Sequence, residues 1–92
     1  MLFVIFCIDR PGAAEARRDN IQAHVDYVGA SDVAVVMSGP LVSDDGAAAV
    51  GSLLVIDAAD RAAAEAFHRN DPLYRAGIWE TTELRAFDKR VG

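Results

Sequence analysis

Seven consecutive apolar residues, Leu2 to Ile8 (LFVIFCI), open the chain and are apolar on both alternating faces. Periodicity alone leaves such a run between strand and buried helix. Its length, its aromatic and β-branched content and the Pro11-Gly12 stop behind it predict a strand. From Ala13 to about Val28 the spacing changes. Ala14, Ile21, Val25 and Val28 recur at helical intervals, with Glu15, Arg18, Asp19, Gln22 and Asp26 mostly on the other side. That predicts a four-turn helix with its apolar stripe toward the core, ending near Gly29. Residues 32 to 38 (DVAVVMS) and 51 to 57 (GSLLVID) read as two more strands, joined through the Asp45-Gly46 turn signal by material that can extend both into a hairpin. Asp60 is placed to cap a second helix, 61 to 69, with Ala62, Ala63, Ala66 and Phe67 facing inward. A last strand, 78 to 87, alternates Ile78, Thr82 and Leu84 with Trp79, Thr81 and Phe87.

The order is β-α-β-β-α-β, without internal repeat or linker, which predicts one domain over residues 1–92. It is the split-βαβ arrangement of ferredoxin-like α+β folds, a four-stranded antiparallel sheet. Two helices cover one face of such a sheet, yet the first three strands are apolar on both. A second copy, sheet against sheet, would cover the other face and give a homodimer with a barrel-like core. Trp79 is a candidate anchor of that interface.

Composition narrows the function. The chain is 52% hydrophobic, with a mean hydropathy of +0.15, which excludes the disordered class and suits a chain that shares apolar surface with a partner. Fourteen acidic residues against nine basic ones give a formal charge of −5. With no Lys/Arg stripe on any segment, nucleic acid is not an expected partner. The single cysteine, Cys7, excludes an intrachain disulfide and reads as a buried core thiol. The opening apolar run is too short to span a membrane and follows no basic leader, so a soluble, cytoplasmic protein with no membrane association is expected.

The candidate chemistry starts from His24, one of only two histidines. It sits beside the apolar stripe of the first helix. Arg17 lies two turns earlier on the same edge, roughly 10 Å along the axis, with Asn20 between them. From these residues alone, a histidine hydrogen-bonded at the core margin is the favoured reading of His24 over a reactive one. At the end of the second helix, His68 reads as a solvent-facing residue favoured by the helix dipole. Asp71, before Pro72, reads as the N-cap of a short turn. His24, His68 and Asp71 lack the H-x-x-x-H spacing of a metal site, and the short connections leave little room for a haem on His24. No metal and no cofactor are expected.

Taken in order, the opening strand with "DRPG", then "RRDNIQAH", "SGPLVSDDG", "VGSLLVID" and "NDPLYRAGIWETTELRAF" resemble the YCII-related family of the dimeric α+β barrel superfamily. The resemblance spans essentially the whole chain. It implies a histidine in the first helix paired with an aspartate in an enzymatic dyad. The histidine matches His24; the aspartate matches Asp71, with Asp9 as the fallback. Arg17, Gly39-Pro40 and Gly51-Ser52 also match the family's pattern, while Ser38 stands where alanine is common. The resemblance supplies no substrate, although related proteins include a dehydrochlorinase acting on a chlorinated hydroxyquinol.

The chemistry of such a pair follows from its parts. A neutral imidazole accepts and returns a proton near pH 7, and a carboxylate on its other nitrogen fixes the tautomer. Ser52 is suited to orienting a substrate oxygen and Arg17 to holding an anionic group. Gly39, Pro40 and Asp9 complete the expected substrate-binding set. In the absence of a nucleophile motif, proton abstraction leading to elimination or isomerisation of a small aromatic or anionic molecule fits best. The alternative is a non-catalytic dimeric module that binds a small ligand or assists a neighbouring enzyme.

Overall fold

The computed structural model describes all 92 residues. β1 (Leu2–Asp9) leads through the Pro11-Gly12 turn, where Gly12 takes a φ of +79°, into α1 (Ala14–Ala30). The hairpin of β2 (Ala34–Val42) and β3 (Ala49–Asp57) follows, then α2 (Arg61–Arg69), a single turn α3 (Pro72–Arg75) and β4 (Trp79–Phe87). The strands form one antiparallel sheet in the order β2-β3-β1-β4, the expected α+β ferredoxin-like arrangement. β1 and β3, the most continuously apolar segments, are the two central strands.

Register sorts the side chains into two faces. Phe3, Ile5 and Cys7 of β1 stand opposite Ile56, Leu54 and Ser52 of β3. They face the helices, where Phe67 of α2 and Leu73 of α3 close the core over them. Phe3, Ile5, Leu54 and Ile56, each almost fully out of water, contribute about 1.5–3 kcal/mol apiece. The opposite face carries Phe6 opposite Leu53, and Val4 and Met37 on either side of Val55. It remains open, with Phe6 41% and Met37 58% exposed. Trp79 does not belong to that face: it is buried within the protomer, its ring stacked on His68 at 5.1 Å, and so is not an interface anchor.

Several boundaries and faces differ from the sequence expectations. α1 runs past Gly29, which has no positive φ, and ends where Ser31 turns extended and its hydroxyl accepts from the Val33 N–H. β2 covers Ala34–Val42 rather than 32 to 38. It carries Gly39-Pro40 inside the strand, which Pro40 tolerates because β2 is a sheet edge. In α2 the buried positions are Ala64, Phe67 and His68, whereas Ala62 is exposed. In α1 they are Arg17 and His24, while Ala14 and Val25 are exposed. Two polar residues thus occupy the innermost line of the first helix.

Candidate active site

Those two residues stay inside because each finds a specific acceptor. The Arg17 guanidinium donates from Nε to Asp9 Oδ2 at 2.7 Å and from Nη2 to Asp9 Oδ1 at 3.1 Å. Nη2 also donates to the Gly51 carbonyl at 2.7 Å and to Ser52 Oγ at 2.6 Å. A buried cation is tolerable only when paired and hydrogen-bonded in this way. Asp9 comes into reach at the end of β1, where the register with β4 slips between Ile8 and Asp9. At Gly51 any Cβ would overlap the Cys7 carbonyl, so only glycine lets β3 run this close to β1 beneath the guanidinium.

His24 is held from the other end of the chain. Its Nδ1 lies 2.9 Å from both carboxylate oxygens of Asp71, which is 1% exposed. Asp71 Oδ1 also accepts the Leu73 N–H at 2.9 Å, so the residue caps α3 and receives the imidazole at once. A carboxylate only accepts, which puts a ring proton on Nδ1, so that in the neutral ring Nε2 is the nitrogen with the lone pair. Nε2 makes no hydrogen bond within the chain, and His24 lines an open cavity. Asp9, the fallback partner, is occupied by Arg17 and is not on the cavity wall.

The cavity, about 650 Å³, lies between α1 and the β2–β3 hairpin, within the size range of small-molecule sites. Arg17, His24, Ser52, Gly39 and Pro40 all line it. Val25 and Ala14 line it too, which accounts for apolar residues exposed on α1. Small residues of the hairpin, Ala47 to Ala49, leave the far side open. Ser52 Oγ uses an acceptor position on Arg17, so its own proton is free to donate into the cavity. Arg18, assigned from the pattern to the far side of α1, lines the mouth instead; a helix this weakly amphipathic gives no clear signal of which polar residue faces which way.

His68 lies apart from this cavity and is not solvent-facing as expected. It is 5% exposed, stacked on Trp79 and met edge-on by Tyr74 at 4.9 Å. Burial pushes its imidazole below the usual value, opposed by the charge of Asp71. Cys7 is a buried thiol whose pKa burial pushes up to about 12. No three His, Cys, Asp or Glu side chains are grouped so as to hold a metal ion, and no helix is long and apolar enough to cross a membrane.

The sequence model of the YCII-related domain matches residues 1–88. Among solved structures the chain is similar to 5-chloro-2-hydroxyhydroquinone dehydrochlorinase (TftG) from Burkholderia phenoliruptrix AC1100, determined in complex with 2,5-dihydroxybenzoquinone. The two are 30% identical, with a TM-score of 0.87 over 96% of this chain and 94% of that one. PA3566 from Pseudomonas aeruginosa is 14% identical, with a TM-score of 0.59 over 98% of this chain and 93% of that one. Rv0793 from Mycobacterium tuberculosis is 21% identical, with a TM-score of 0.57 over 99% and 97%. The last two share the fold. No curated protein sequence matches the chain.

Proposed function

The chain belongs to the YCII-related family, and on that premise we propose that it is a small-molecule enzyme of lyase or isomerase type working through a His24–Asp71 acid–base dyad. The observation that carries the proposal is the placement of His24. Nδ1 is bound to a buried carboxylate while Nε2 stands unbonded on a residue lining the cavity. Nε2 takes a proton from a substrate O–H or C–H. The electron pair left behind forms the new double bond as the leaving group departs with its own pair, or as the proton returns elsewhere in an isomerisation. Asp71 holds the ring and stabilises the imidazolium. Ser52 donates to a substrate oxygen, Gly39 and Pro40 form the opposite wall, and Asp9 fixes the Arg17 guanidinium at the cavity floor. The relative's dehydrochlorination is elimination chemistry of this kind. The open sheet face around Phe6 and Met37 is covered, in this reading, by a second copy of the chain.

The test is chloride release from 5-chloro-2-hydroxyhydroquinone and related halogenated hydroquinones. His24→Ala should lower the rate by about 10² to 10⁴, with an unchanged circular dichroism spectrum. A variant that keeps the wild-type rate would refute the dyad. Wild-type binding without any turnover would leave a ligand-binding module.

A further inference from the structure

The chain carries fourteen acidic residues and nine basic ones, yet none of the thirteen residues lining the cavity is acidic, and Arg17, Arg18 and His24 are among them. The three bases are not equivalent. Arg17 is paired with Asp9 through two hydrogen bonds, so its charge is already balanced. His24 is tied to Asp71. Arg18 forms no ion pair and no side-chain hydrogen bond, with Glu15 three residues before it on α1 or with any other residue. An unpaired guanidinium at the mouth of a cavity whose other two bases are each held by a carboxylate is the one unbalanced charge a bound molecule would meet there.

We propose that Arg18 is the specificity-determining residue of this cavity, selecting a single-ring organic anion whose charged group lies at the mouth while its transferable proton points to His24. The proposal rests on the cavity being the substrate site. Arg18 and His24 are six residues apart on α1, about 9 Å along the axis, which suits a ring carrying its charge and its reactive group at opposite ends. Ala14, Ile21, Val25 and Pro40 supply apolar contact for the ring. A guanidinium grips a carboxylate or phenolate by charge-assisted hydrogen bonds.

The probes are 4-hydroxybenzoate and its uncharged isostere 4-hydroxybenzamide, titrated into the full chain while the His24 ring signals are followed by NMR. The wild type should bind the benzoate more tightly than the amide. Arg18→Gln should weaken the benzoate about two- to fivefold and leave the amide unchanged, while Arg18→Lys should restore most of the loss. Raising the salt concentration should narrow the gap between the probes in the wild type. If both probes perturb His24 but Arg18→Gln affects neither, or weakens both equally, the assignment of Arg18 is overturned and the cavity reading stands. If neither probe perturbs His24 in the wild type, the cavity reading itself falls and this inference with it.

Discussion

Asp71 performs two jobs that substitution can separate. One carboxylate oxygen receives the Leu73 N–H that starts α3, and both oxygens receive the His24 Nδ1–H, in a place only 1% exposed. Asp71→Ala removes the cap, worth about 1 kcal/mol, and leaves a buried donor or an altered tautomer on His24, worth about 1–3 kcal/mol. The two sum to about 2–4 kcal/mol, and because the carboxylate's own desolvation cost disappears with it, the lower part of that range, about 2–3 kcal/mol, is expected. A chain of this size is stable by roughly 5–14 kcal/mol, so the variant should fold but melt about 10–25 °C lower. Asp71→Asn behaves differently. Its amide oxygen still caps α3, but its NH₂ faces the imidazole as a donor, so Nδ1 must become the acceptor and the ring proton moves to Nε2. Stability should fall by less than about 1 kcal/mol, while the cavity-facing nitrogen loses its lone pair. Urea titration measures the first effect; long-range proton–nitrogen NMR of the His24 ring measures the second without any substrate. An Asp71→Asn ring that keeps its proton on Nδ1, or an Asp71→Ala variant as stable as wild type, would refute the reasoning.

Three further outcomes follow from other parts of the fold. Phe6→Glu places a charge on the open sheet face and should give a light-scattering mass of 9.8 kDa where the wild type gives about twice that; equal masses would remove the proposed assembly. Cys7, its pKa pushed up to about 12 by burial and only partly offset by the Thr82 hydroxyl, should react with a disulfide reagent at pH 8 only at the rate of unfolding, and fast labelling of the native chain would contradict its burial. His68 has its imidazole lowered from 6.5, chiefly by burial. The unfolded chain therefore takes up its proton first, and this contribution to stability is complete above about pH 6.5 and is lost as pH falls toward the lower native value. The urea midpoint should drop more steeply between pH 7 and 5.5 in the wild type than in His68→Phe, which keeps the stack on Trp79; parallel profiles would place the effect elsewhere.

The element order was legible because it is written locally. The apolar run of β1 ends at Pro11-Gly12, the hairpin turns at Asp45-Gly46, and Asp60 caps α2 by accepting from the Ala63 N–H. On α1 the inward side was legible only in part: Ile21 and Val28 of the apolar stripe pack against the core, but Ala14 and Val25 stay exposed and the buried places go to Arg17 and His24. A helical apolar stripe predicts burial only when apolar contact is what holds the helix down. Here Arg17 and His24 are held by Asp9 and Asp71, 8 and 47 residues away in the chain, and nothing in the local pattern carries that pairing. Val25 and Ala14 then remain apolar for a different reason, as wall rather than core. His68 was misread for a similar cause. The helix dipole favours a histidine at a C-terminus, but the aromatic contacts of Trp79 and Tyr74 arrive from other elements and bury it.

Asp71 shows why a structural and a chemical explanation of one residue should not be set against each other. Its signature, an aspartate before a proline, announces a cap, and the cap is present. Capping, however, uses one lone pair of one oxygen, and a carboxylate has about four acceptor sites. The cap fixes the side-chain torsion and aims the remaining acceptors at α1, so the local motif supplies the rigidity on which the distant pairing with His24 depends. A free aspartate at the same spot would have to lose its rotamer freedom on meeting the imidazole; this one has already lost it to α3. The Pro72 at the first helical position and the short turn to Gly77, where φ is +69°, serve the same end by fixing the backbone on either side of the cap. On this argument a change that loosens α3 without touching Asp71, such as Pro72→Gly, would blur the His24 tautomer as surely as a change in the carboxylate itself.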